Sequence, residues 1–247
     1  YAKGLSKIFN IHDYDVLVWN FRGCSGEDNW QLYAYHSGKT DDLDWVVRNA
    51  AGKKQYDNIH LVGISLGGNI TLKYLGEEKW DSVKHIDSAM AVSAPIHYES
   101  FFPNILKGWN RIYERRFTAQ LLGKIRIKEK KFPGALPYEQ IYQVRNLMEF
   151  TDKVTAPLHH FRNVDEYNRK VQATSYLDSI KTPTLLVNAD NDPLLTRECF
   201  PQEKAKHSPY FSLEVTKNGG HMGFCEDLSE DQSWLEKRAL KFITTAA

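Results

Sequence analysis

The chain has 247 residues, 42% hydrophobic and 26% charged, with a formal net charge of +1. That balance suits a globular protein with a sizeable core, and so small a charge sets up no global field for nucleic acid. No apolar run approaches the roughly 18 residues needed to span a membrane, the start "YAKGLSKIFN" has no apolar signal-peptide core, and the sparse cysteines Cys24, Cys199 and Cys225 form no C-x-x-C motif, which fits free thiols in a reducing compartment and makes cytoplasm the expected location.

In chain order, residues 1–10 predict a helix with Leu5, Ile8 and Phe9 on one side. "DVLVWNF" (15–21) is a short apolar run rich in β-formers and predicts a buried strand, followed by the Gly-rich loop "RGCSGEDN". "KTDDLDWVVRNAAG" predicts a helix with Thr40 as N-cap, acids in the first turn and Gly52 at its end. "NIHLVGI" (58–64) predicts a second strand, Gly67 to Leu75 a helix, and "IDSAMAVSAP" (86–95) a third strand stopped by Pro95. From about 97 to 180 the strand rhythm gives way to a helical stretch rich in aromatic and charged residues. It returns with "TPTLLVNA" (182–189), a helix near 199–206 and "YFSLEVT" (210–216). "SEDQSWLEKRALKFI" closes the chain as a helix capped by Ser229.

Alternating strands and helices imply parallel βαβ units. The expected architecture is a doubly wound, mostly parallel sheet, with core segments 1–96 and 181–247 and a helical, lid-like insertion over 97–180. Ligands of such sheets bind beyond the carboxyl ends of the strands, and each candidate below follows a strand.

"VGISLGGN" (62–69) holds Gly63-x-Ser65-x-Gly67 between a strand and a helix. A serine hydroxyl becomes a nucleophile only when a base takes its proton, and a sharp strand-to-helix turn projects it toward substrate at the cost of a strained backbone. Glycine two residues to either side removes a collision in such a turn. The helix N-terminus adds partial positive charge, and the backbone N–H of Leu66 is the expected oxyanion donor. Of nine histidines, only His221 follows a late strand within a Gly-rich turn, "NGGHMGF". The adjacent His159 and His160 lack metal-ligand spacing and read as structural. The acid that orients the base is Asp190 or Asp192 in "NADNDPLL"; Pro193 pushes Asp192 into an extended conformation, which favours it.

These residues carry a resemblance. "NFRGCSGEDN" (20–29), "YHSGKTDDL" (35–43), "VGISLGGN", "AVSAP" (91–95), "EFTDKVTAPLHHF" (149–161), "PTLLVNADNDPLL" (183–195) and "NGGHMGF" together resemble the YheT-like group of the α/β-hydrolase superfamily, a set of predicted esterases and lipases. The resemblance runs over essentially the whole chain. It implies the α/β-hydrolase fold and a triad of Ser65, Asp192 and His221, settling Asp192 over Asp190. Arg22, Gly23 and Met222 are the candidates for the substrate side, with a structural arginine bonding loop carbonyls as the plainer reading of Arg22. The chain departs from the group at Asn191, where aspartate is usual, at His160, where glycine is usual, and at Asn168, where a second tyrosine is usual. The resemblance also implies further strands and a His-Gly loop, source of a second oxyanion donor, ahead of Tyr1, so this sequence reads as the remainder of a longer protein.

Between Lys107 and Lys131 stand nine basic and two acidic residues, interleaved with Trp109, Ile112, Tyr113, Phe117, Leu121 and Leu122. A solvated helix face is the plainer reading; weak peripheral contact with an anionic membrane surface is the sharper one. The expected activity is hydrolysis of carboxylic esters, short-to-medium acyl esters or lipids, by a monomer using no cofactor or metal. An acyltransferase with the same triad, or a non-catalytic protein of hydrolase shape, is the alternative.

Overall fold

The computed structural model describes residues 1–52, 56–224 and 232–246, which leaves Cys225 and the expected cap Ser229 outside the described residues. The chain divides into two compact units: residues 1–19, 37–97 and 172–247 form the first, and residues 20–36 and 98–171 the second. The helical stretch expected at 97–180 thus falls largely in the second unit, which also takes the Gly-rich loop that follows Trp19.

The first unit is built on four parallel strands in chain order across the sheet: β1 (His60–Ile64), β2 (Ser88–Val92), β3 (Thr184–Ala189) and β4 (Phe211–Thr216). Alternate side chains of a strand face opposite ways. Met90 and Val92 of β2, with Leu185, Val187 and Ala189 of β3, join Leu5, Ile8 and Phe9 of the helix Ala2–Ile11 and Leu235, Ala239 and Ile243 of the helix Trp234–Ala246 in one buried cluster. On the other face lies the helix Leu66–Gly76, where Gly68 comes so close that an added Cβ would stand 2.8 Å from Ala94 Cβ and 3.5 Å from Ala91 Cβ. Both faces are covered, which is why β2 and β3 are buried at every position and mostly apolar. The last helix starts with a capping box: Ser233 N–H donates to Glu236 Oε2 (2.9 Å) and Glu236 N–H to Ser233 Oγ (3.4 Å).

One expected strand is not formed. Asp15–Trp19 is apolar enough, but an extended segment needs a neighbour for its N–H and C=O groups, and no described strand pairs with it. Val16, Leu17 and Val18 are exposed, Leu17 to 68%. β1, for its part, has a strand on one side only among the described residues, and four of its five residues are half-buried.

The second unit is helical, with Tyr98–Ile105, the long helix Arg111–Lys131, shorter helices, and Val164–Val171. Its core gathers Ile125, Tyr138, Ile141, Val144, Phe150 and Val154. The helix Leu147–Phe150 is capped by Asn146, whose Oδ1 accepts from Glu149 N–H (2.9 Å), and the chain continues through a single π turn at Thr151–Thr155.

Candidate active site

In a parallel sheet all carboxyl ends lie along one rim, and three of the loops leaving that rim bring Ser65, Asp192 and His221 together. His221 Nε2 stands 2.9 Å from Ser65 Oγ, and His221 Nδ1 stands 2.8 Å from Asp192 Oδ2. With Nδ1–H donating to the carboxylate, Nε2 is left as acceptor for the serine hydroxyl.

Ser65 sits immediately after β1 with φ 52°, left-handed backbone that a non-glycine residue adopts at a cost. Its N–H donates to Val92 O (2.8 Å), and its carbonyl accepts from Gly68 and Asn69, so β2 and the first turn of the next helix both fix the turn. The expectation of two crowded glycines is half met. A Cβ at Gly63 would lie 2.5 Å from Gly67 O, an impossible approach, whereas a Cβ at Gly67 would meet nothing within 4 Å. The second required glycine is Gly68, packed on Ala94. Leu66 is the first residue of the helix and carries one of the N–H groups that no helical carbonyl can accept.

The two candidate acids separate cleanly. Asp192 is buried; its N–H donates to Ala189 O (3.1 Å) and its Oδ1 accepts from Leu194 N–H (2.9 Å), leaving Oδ2 for the imidazole. Asp190 is exposed and pairs at 3.6 Å with Arg197. Met222, expected on the substrate side, is half-buried against the apolar cluster of the first unit. Arg22 and Gly23 lie in the second unit, where Arg22 donates to Gln31 Oε1 and Gly23 turns with φ 71°.

Sequence reasoning missed the bonds of three asparagines of the first unit. Asn191 Oδ1 accepts from Gly220 N–H (2.8 Å), tying the acid loop to the histidine loop. Asn188, inside β3, accepts from Ala94 N–H (3.2 Å) and donates to Cys199 O (2.8 Å). Asn69 donates to Ser37 O (2.8 Å) and accepts from Ala173 N–H (2.9 Å). A fully buried amide in an apolar run is the signal that could have found the last two, since it must be bonded. In the second unit, His160 has φ 64°, which accounts for glycine being usual in its place. His159 stacks at a tilt 4.4 Å from His36, and Asn168 is buried.

Serine first, acid second and histidine last is the order in which α/β hydrolases carry these groups. The chain matches the α/β hydrolase fold family over residues 2–228 and belongs to it. It is 34% identical to YheT of Escherichia coli (strain K12), named as a proposed esterase, over 99% of this chain and 72% of that one. It is 26% identical to a monoacylglycerol lipase of Saccharomyces cerevisiae over 96% of this chain, yet spans only 54% of that protein. A solved esterase structure from Pyrococcus furiosus covers 99% of this chain and 75% of its own with a TM-score of 0.61 at 20% identity, a likeness of fold.

Proposed function

We propose that the chain is a serine hydrolase that cleaves carboxylic esters through an acyl-enzyme intermediate. Ser65 Oγ attacks the ester carbonyl while His221 Nε2 takes its proton; Asp192 holds the Nδ1–H tautomer and stabilises the imidazolium. Leu66 N–H, at the positive end of its helix, donates to the developing oxyanion. The imidazolium then protonates the departing alcohol, and water, deprotonated by His221, releases the acid and restores the serine. The observation that carries the reading is the unbroken chain of hydrogen bonds from Ser65 through His221 to Asp192, at 2.9 and 2.8 Å, on a serine held at φ 52°. Packing alone has no use for that strain at that place. The names of the relatives favour acyl esters, monoacylglycerols among them.

The test is covalent labelling by a fluorophosphonate. Labelling is expected on Ser65 of the folded chain and is lost in Ser65→Ala, with turnover of a short acyl ester falling by about 10⁴-fold or more. A folded chain that takes no label would sink the reading.

A lipid substrate suits a surface feature of the second unit. Trp109, Ile112 and Tyr113 are exposed to 85%, 60% and 43%, beside the exposed cations Lys107, Arg111, Arg115 and Arg116. Aromatic side chains set among basic ones match an anionic lipid interface. Co-sedimentation with phosphatidylserine vesicles, reduced in Trp109→Ala and absent with phosphatidylcholine, is the expected result; equal binding to both vesicles would remove this part of the proposal.

A further inference from the structure

The second unit holds a partly open cavity of about 90 Å³, and every residue lining it belongs to that unit. Three cations line it, Arg22, Lys124 and Lys128, against one carboxylate, Asp28. That carboxylate is engaged by Lys131 at 3.1 Å. Lys124, Lys128 and Lys131 recur at the spacing of one helix face, and each reaches the segment 20–36: Lys124 Nζ donates to Gly23 O, and Lys128 Nζ to Gln31 O at 2.6 Å. An ammonium has three donors. Lys128 spends one of them on a neutral carbonyl, and neither Lys124 nor Lys128 has a carboxylate partner among the described residues. Lys128 is buried to 5% exposure, and burial, with the nearby ammoniums of Lys131 and Lys124, pulls it down to about 8. Tyr35, also on the wall, is pushed up to about 12 by burial and by Cys24 and stays a neutral phenol. The rest of the wall is mostly apolar, with Leu121, Ile125, Phe150, Val154 and Leu158.

We infer that this cavity is a binding site for a short-chain carboxylate, whose oxygens accept from Lys124 and Lys128 and whose alkyl chain packs on the apolar wall. Buried positive charge without its counter-charge is costly, and an anion bound there removes the cost. A space of about 90 Å³ is small, suited in size to an acid of a few carbons rather than to a long acyl chain. The apolar wall disfavours inorganic phosphate, which needs donors on every side. The inference invokes none of Ser65, Asp192 and His221, although Arg22 and Gly23 of the wall are among the residues expected on the substrate side.

Titration calorimetry on the full chain carrying Ser65→Ala tests it, with sodium butyrate as probe and n-butanol and inorganic phosphate as comparisons. Saturable butyrate binding is expected, with butanol and phosphate each much weaker. Lys128→Met and Lys124→Met are each expected to weaken butyrate by about 10-fold or more, the loss of one charged hydrogen bond. Leu158→Phe, which fills the cavity and keeps both lysines, is expected to abolish binding, and covers the case in which a lysine variant fails to fold. No saturable binding, butyrate binding unchanged in the folded variants, or phosphate bound more tightly than butyrate would each overturn the inference.

Discussion

The two units hold their polar groups in opposite ways. In the first, Ser65, His221 and Asp192 stand on turns that leave buried parallel strands, and each functional atom has a partner at 2.8–3.1 Å. In the second, three lysines of one helix face gather on backbone carbonyls and a single aspartate. Geometry fixed by a sheet can bring a hydroxyl, an imidazole and a carboxylate to hydrogen-bond precision, with Ser65 156 positions from His221. Charge gathered on a helix face stays under-compensated and tunable. The first arrangement is rigid and specific; the second is a reservoir of unspent donors.

The comparison is broken most directly at the acid. Asp192→Asn keeps the shape and removes the charge that holds the imidazole, so ester turnover is expected to fall by about 10⁴-fold. Asp190→Asn, on an exposed residue whose ion pair is with the exposed Arg197, is expected to leave turnover within about 2-fold, because surface ion pairs contribute little. Equal losses in the two variants, measured as kcat, would show that the buried partner of His221 is not what orients it.

A smaller effect separates the two glycines of the serine turn. Gly63→Ala forces a methyl against Gly67 O and is expected to cost about 1–3 kcal/mol of stability, seen as a lowered midpoint in urea. Gly67→Ala meets open space within the helix and is expected to be neutral, or to stabilise by up to about 1 kcal/mol. Two variants that melt alike would contradict the close approach at Gly63.

The smallest effect sharpens the other side. The folded value for Lys128 lies near 8, below the ordinary 10.5, so between those values the unfolded chain binds more protons, and stability rises with pH through that window. Lys73, pulled down chiefly by burial, acts in the same direction. The groups around Lys128 that set its behaviour are Lys124, Lys131 and Asp28. Lys128→Met is expected to flatten the rise in Tm from pH 8 to pH 10 without abolishing it. An identical pH slope in the variant would mean that the ammonium is better solvated than its burial implies.

Much of this was legible in the sequence. The four paired strands fall within the runs at 58–64, 86–95, 182–189 and 210–216, because strands buried on one or both faces are rich in apolar and β-branched residues. Ser65 and His221 were legible because each follows a strand end; the same rule left Asp190 and Asp192 both open, and the resemblance chose between them. "DVLVWNF" misled, since composition reports that a segment would suit a sheet and never whether a neighbour is there to receive it. The lysine face was half legible: the spacing of 124, 128 and 131 places them together, but what they meet is a loop a hundred residues earlier, and periodicity holds no information about that. Asn191 was noticed as a departure, and its bond to Gly220 depends on how two loops meet, which no local pattern records.

Ser65 holds a backbone shape that glycine would adopt freely, at a cost of about 1–3 kcal/mol to the folded state. A hydroxyl at this turn is therefore kept at the expense of the fold, and a chain with glycine at 65 would be the sturdier of the two.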